Sequence, residues 1–423
     1  MNHKKLSILI IAEEVNYDRT SGGLVNAKII YSLSRYHNCE VLTQGHVPAD
    51  FGNFHAGKFY HFNFKKKAWL KWLGRVPVLR KTIAWKTGIN HASYDRYLAW
   101  KKQIPPITAT NKYDAVLLLG TGMGYYAHQA WADLPDTGIP TIMAIHDPYP
   151  MALLPPPYQA KWDGPERLLA RRFSKLIDRC CYCWSSSLRQ LEWMYETYPA
   201  LKTKGIVIPH LAMQPPFDEK LRQVDDSEIS RAISSLHTSH QFLLVHMGSL
   251  LQGRDPQYLF TAFAQWLAEH PVAASHSKMV FIGRVHPLLQ PAFDAIKDHP
   301  NFLCSTNTRI SYQQALALQQ SATANIILES LEKVSPQLFG KFADAVLSDR
   351  PIFSIGPTAS EARRLLGTAY AYQATNGDVP AMVKAIDGLY RAWQLNHDLR
   401  LERPDLQWAC HPDRMLDAMN KVL

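Results

Sequence analysis

Short apolar runs recur along the whole chain, each about one strand long and most of them followed by a stretch long enough for a helix. This alternation restricts the fold more than any other feature. Residues 6–12 (Leu-Ser-Ile-Leu-Ile-Ile-Ala), 40–44, 115–119 (Ala-Val-Leu-Leu-Leu), 141–145, 179–185 and 205–208 read as strands of a buried parallel sheet. Residues from about 22 to 36 and from about 188 to 198 read as helices between them. Pro209 to Pro216 then breaks the pattern, and residues 218–239 are polar, so the linker is placed there. The pattern restarts with strands at 242–247, 279–282, 302–305, 324–328 and 352–355 and a helix from about 256 to 269. Alternating strand and helix signals predict doubly wound α/β domains. The expected organisation is a first domain over 1–208, a second over 218–395 and a helical tail over 396–423. Sheets of this kind bind ligands at the carboxyl ends of their strands.

A chain of 423 residues has room for two such domains. With 47% hydrophobic and 19% charged residues it is not a disordered polymer. Six scattered cysteines are too few for a disulfide framework and point to a reducing compartment. Cys180, Cys181 and Cys183 lack a second cysteine pair or a nearby histidine pair, so they read as small buried strand residues rather than zinc ligands. The apolar run at the N-terminus is short and is followed by Glu13-Glu14, which favours a first strand over a signal peptide. No run approaches the length of a membrane span.

The formal net charge of +10 has one source. Residues 65–102 hold eleven Lys and Arg against one acid, Asp95, leaving 35 of each sign elsewhere. The same segment carries Trp69, Trp72, Trp85 and Trp100. Trp69, Trp72, Leu73 and Val76 recur at helical spacing beside a stripe of Lys67, Lys71 and Arg75, with Lys65 and Lys66 just upstream. A basic amphipathic helix edged with tryptophan fits an anionic membrane surface or a lipid-linked acceptor. A solvated basic face accounts for the same residues. A nucleic-acid patch is the third reading, and no recognised nucleic-acid motif supports it.

Residues 335–357 form the most informative block: a loop, a short helix carrying Lys341 and Asp344 on one face, Arg350-Pro351, and a buried strand. A lysine at a helix start suits an anionic oxygen, because free backbone N–H groups and a cation point the same way. The spacing from Lys341 through Asp344 to Pro351 resembles the donor-binding segment of retaining sugar-nucleotide glycosyltransferases of family 4, with Asp where Glu is usual. The resemblance covers nearly the whole chain in order. It implies the GT-B architecture, two doubly wound Rossmann-like domains facing a central cleft.

Further site residues follow from that resemblance. Gly22 and Gly23 stand where a glycine pair faces the donor diphosphate, and His146 where a histidine contacts the transferred sugar. Gly248 and Arg254 match the segment that holds the pyrophosphate, although Ser249 replaces its first cation. Lys341 would supply the missing charge, and Gln337, Leu338 and Phe339 would present loop amides to the sugar and phosphates. Asp344 takes the place of the ribose-binding acid. The partner acid falls on Pro336, and Glu329 and Glu332 upstream have no spacing that assigns them.

The chemistry this implies is stabilisation of a leaving diphosphate by preorganised cations and helix N–H groups. The expectation is a bacterial, retaining, metal-independent glycosyltransferase needing no cofactor. Its donor would be a nucleotide sugar and its acceptor a lipid-linked or surface glycan of lipopolysaccharide, capsule or exopolysaccharide type. It would be cytoplasmic, peripheral at the inner face of the cell membrane. A GT-B-fold partner protein that no longer transfers sugar and a nucleotide-sugar epimerase are the alternatives.

Overall fold

In a computed structural model the described residues are 5–17, 20–48, 51, 57–64, 76–122, 124–216, 241–307 and 310–422. They divide into two compact units, Met1–Phe217 with His411–Leu423, and Asp218–Cys410. Both units are doubly wound and Rossmann-like, as the alternation predicts.

The first unit is built on a seven-stranded parallel sheet of order β3-β2-β1-β4-β5-β6-β7. The strands are β1 Ser7–Ala12, β2 Asn38–Gln44, β3 Phe59–Phe62, β4 Ala115–Leu119, β5 Thr141–Ile145, β6 Tyr182–Ser185 and β7 Gly205–Val207. The longer helices around it are α1 Ser21–Ser34, α2 Pro77–Thr87, α3 His91–Thr110 and α4 Gly164–Arg179. β4 and β5 are buried at every position, which is why their sequences run apolar without alternating. The strand expected from residue 179 begins only at Tyr182. Arg179 instead ends α4, where its guanidinium donates to the carbonyls of Trp131, Ala132 and Leu134. Cys180 caps that helix and is buried, Cys181 is exposed, and Cys183 alone of the three lies in the strand.

The second unit holds a six-stranded sheet of order β10-β9-β8-β11-β13-β15, also parallel. Its strands are β8 Phe242–Met247, β9 Ser277–Ile282, β10 Phe302–Ser305, β11 Ala324–Leu328, β13 Ile352–Ile355 and β15 Gln373–Ala374. A small second sheet pairs β12 Val334–Ser335 with β14 Ala359–Ser360. The longer helices are α5 Gln257–Glu269, α6 Tyr312–Ser321, α7 Gly340–Leu347 and α8 Val379–Leu395. Apolar side chains cover both faces of β8: Phe242 and Leu244 enter one core, Leu243 and Val245 the other.

The stretch expected to be a helical tail is shared between the units. Residues up to Cys410 belong to the second unit, and the last helix, α9 Pro412–Asn420, lies against α1 in the first. Its Met415, Leu416 and Met419 are buried, and Arg414 donates to the Val207 carbonyl at 3.4 Å.

In both sheets the winding direction reverses beside the first strand, between β1 and β4 in one unit and between β8 and β11 in the other. Loops leaving a parallel sheet at such a point diverge and expose a crevice.

Candidate functional site

The reversal point of the second unit gathers most of the charge expected of a phosphate site. β8 is followed by Gly248, whose φ of +107° lies in the left-handed region. Behind it, Gly283 at the end of β9 has φ +148°, and a Cβ there would stand 2.4 Å from the Gly248 carbonyl oxygen. Only glycine lets these two strand ends approach so closely. The loop then turns through Gly253 to Arg254, fixed by bonds from Leu331 N–H to the Gly253 carbonyl (3.1 Å) and from Arg254 N–H to the Leu251 carbonyl (3.0 Å).

Arg254 lays its guanidinium over the Phe339 ring, 3.9 Å from the centroid. Phe339 is the N-cap residue of α7 and offers no side-chain cap to it. Lys341, in the first turn of α7, reaches back to β8, where its Nζ lies 3.2 Å from His246 Nε2. Gly248 sits beside it, so that a Cβ at this glycine would lie 3.5 Å from Lys341 Nζ. Burial, with repulsion from Arg254 added, pulls the Lys341 ammonium down to about 7.

Of the remaining expected donor contacts, Leu338 is buried and Gln337 and Phe339 are partly covered. Asp344, on α7, accepts a 2.7 Å hydrogen bond from the Tyr312 hydroxyl. Ser249, in the place of a family cation, is exposed.

Two residues here carry no motif that assigns them. His246 is the sole polar residue of a strand reading Phe-Leu-Leu-Val-His-Met, and it is 1% exposed. Glu329 follows β11 directly and is fully buried. Ser335 donates to its Oε1 at 2.8 Å, and the Ser360 hydroxyl also bonds the carboxyl. Burial raises this carboxyl to about 7. A polar residue at the end of an apolar run was the available signal for both.

The first unit carries its own polar cluster. The Glu13 carboxylate, after β1, accepts from Ala127 N–H (2.8 Å) and Thr121 N–H (3.3 Å), and burial raises it to about 7. Gly22 and Gly23 lie in the first turn of α1, behind the N-cap Thr20. A Cβ at Gly23 would stand 2.3 Å from the Asn16 carbonyl oxygen, so close packing alone requires that glycine. His146 follows β5 in a pocket lined by Val25, Ile29, Trp184, Ser186 and His210. Its ring stacks parallel to His210, its Nε2 is buried with no hydrogen-bond partner among the described residues, and burial holds it neutral, lowered to about 3. Asp147 is tied to Tyr125, whose hydroxyl donates to its carbonyl at 2.8 Å and accepts from its N–H at 3.1 Å.

Lys65, Lys66, Lys67, Trp69, Lys71, Trp72 and Arg75 lie outside the described residues. The two later tryptophans of the basic segment differ in placement. Trp100 is fully buried in the first core, while Trp85 on α2 is 61% exposed. Among the described residues no group of three or more His, Cys, Asp and Glu side chains converges as a metal site, and no helix is long and apolar enough to cross a membrane.

No protein-family model and no curated protein matches this sequence. Solved structures match it in fold. The chain is similar to Anabaena HepE in complex with UDP and glucose, at 12% identity over 99% of this chain and 100% of that one, with a TM-score of 0.60. It is similar to the E. coli trehalose-6-phosphate synthase bound with UDP-2-fluoro glucose, at 10% identity over 99% of both chains, TM-score 0.61. A UDP-forming α,α-trehalose-phosphate synthase from Burkholderia xenovorans matches at 11% identity over 99% of this chain and 98% of that one, TM-score 0.62. At these identities the likeness is one of fold, and it does not single out family 4. The fold of this chain is GT-B, two Rossmann-like domains of the kind that these glycosyltransferases share.

Proposed function

We propose that the chain is a retaining glycosyltransferase that takes its sugar from a nucleoside-diphosphate donor. The observation that carries this reading is the meeting of Lys341, Arg254 and the N-terminus of α7 at the reversal point of the second sheet. Glycosyl transfer leaves negative charge on a departing diphosphate. Two cations and uncapped helix N–H groups fixed before the reaction receive that charge without reorganising. The role is met by side chains of this unit, so the reading invokes no metal and no cofactor. The UDP seen with Anabaena HepE makes UDP the first nucleotide to test.

The acceptor proposed is a lipid-linked or surface glycan of lipopolysaccharide, capsule or exopolysaccharide type, met at the cytoplasmic face of a membrane through the basic segment. His146 is proposed to serve turnover rather than donor affinity, because a neutral, buried imidazole with a free nitrogen suits a sugar hydroxyl better than a phosphate.

Calorimetric titration with UDP tests the donor site. Lys341→Ala and Arg254→Ala should each weaken binding by at least about tenfold, the scale of one charge-assisted contact. His146→Ala should keep the affinity and lose transfer. Unchanged UDP affinity in both cation variants overturns the assignment.

A further inference from the structure

We infer that His246 is a positioning residue that accepts a hydrogen bond from Lys341 and holds its amine group for a diphosphate, whose binding is then coupled to uptake of one proton by that amine. Lys341 as the phosphate contact comes from the function proposed above. The role of His246 is new to it.

The ring of His246 is fixed on three sides. Its Nδ1 lies 3.2 Å from the Ile326 carbonyl, just past the last β8–β11 backbone pair, Val245 with Asn325. A carbonyl only accepts, so Nδ1 carries the hydrogen. The ring face stacks on Phe281, with centroids 4.9 Å apart and planes at 22°. Burial, then the charge of Lys341, holds the imidazole well below its usual range. The Gly248 carbonyl also bonds the ring. A neutral ring protonated at Nδ1 has its lone pair at Nε2, which lies 3.2 Å from Lys341 Nζ. Lysine has three donors and no acceptor, so the ammonium donates to His246 and keeps its other hydrogens for a ligand.

Other charged groups around Lys341 do not cancel its charge. Arg254, from the loop after β8, opposes it. Asp344 on α7 is bonded to Tyr312 of α6. Glu329, after β11, is raised toward neutrality and interacts with Arg254 and Arg363. Burial, with Arg254 opposing it, therefore leaves the Lys341 ammonium close to losing its proton near pH 7. An incoming diphosphate supplies the missing negative charge, and Lys341 NH₂ takes a proton from solvent to become NH₃⁺ while the diphosphate stays ionised.

The probe is UDP-glucose, whose diphosphate has no titrating terminal group, measured by calorimetry from pH 6 to pH 9 in two buffers of different ionisation enthalpy. Wild type should take up close to one proton per UDP-glucose at the alkaline end, with affinity falling up to about tenfold per pH unit above about 7. His246→Phe keeps the ring and its stack but removes the lone pair. It should weaken binding at pH 6.5 and move the midpoint to lower pH. His246→Gln, which returns an acceptor, should lie nearer wild type. Val245→Ala, in the other core, should lower Tm and leave the midpoint in place. A wild-type midpoint and proton count in His246→Phe overturn the role of His246. Wild-type affinity in Lys341→Ala overturns the donor site instead. Should His246→Phe not fold, the Lys341 ammonium is followed by NMR in wild type. An ordinary lysine titration both with and without UDP-glucose overturns the coupling.

Discussion

Single residues decide much of the pH behaviour of this chain. The Glu329 carboxyl is protonated in the fold up to about pH 7, whereas in the unfolded chain it ionises near 4.5. Between those values the folded state binds more protons, so stability falls as pH rises through this window and levels off above it. At about 1.4 kcal/mol per pH unit the ceiling is roughly 3 kcal/mol. Glu329→Gln should match wild type at pH 5 and unfold at higher urea at pH 8, and parallel pH curves for the two proteins contradict this. Glu13 shifts the same way and gives the first unit the same slope. His128 and His146 act in the other direction. Both stay neutral down to about 3 in the fold, so the stability they confer is complete above 6.5 and is lost as pH falls from there. Spaced motifs in the sequence single out Lys341, Arg254 and Asp344, and of these the structure brings Lys341 and Arg254 near one another while Asp344 bonds Tyr312. His246 was not legible there, because a lone histidine in an apolar strand does not reveal which carbonyl or cation it will meet across a sheet.

At the scale of elements, the apolar runs located the strands well, since a strand buried on both faces leaves an uninterrupted signature. β3 was missed: its Phe-Tyr-His-Phe is an edge strand, partly covered and mixed in character. Helix boundaries next to strands were harder to read. The segment from Arg179 is apolar enough for a strand, yet Arg179 closes α4 because its guanidinium satisfies the carbonyls at the end of the helix that starts at Tyr126. The last helix, α9, was read as a tail and instead buries Met415, Leu416 and Met419 with the first unit. Deleting residues 411–423 should therefore destabilise the first unit by several kcal/mol, at roughly 2 kcal/mol or more per buried apolar side chain lost. Hydrogen exchange read separately in the two units checks this: protection should drop in 1–217 and hold in 241–410. Equal loss in both, or in neither, contradicts it.

At the scale of the whole molecule, the excess positive charge belongs to one segment rather than to the general surface. Should that segment dock on anionic lipid, changing Lys65, Lys66, Lys67 and Lys71 to Ser should cut vesicle binding by two or more orders of magnitude, at about 1 kcal/mol for each basic residue near the surface. Flotation with vesicles containing anionic lipid measures it, and equal flotation of the variant removes the membrane from the account. The order of the two domains along the chain was legible, because the break at Pro209 to Pro216 is a change of pattern. The path of the chain after the second domain was not, because α9 has an ordinary amphipathic sequence that names no partner. That path bears on synthesis. Of the two units the first leaves the ribosome earlier, but one of its helices is encoded after the whole of the second unit. The second unit can therefore finish folding while the first still waits for its final helix, the reverse of the usual order in which domains mature during translation.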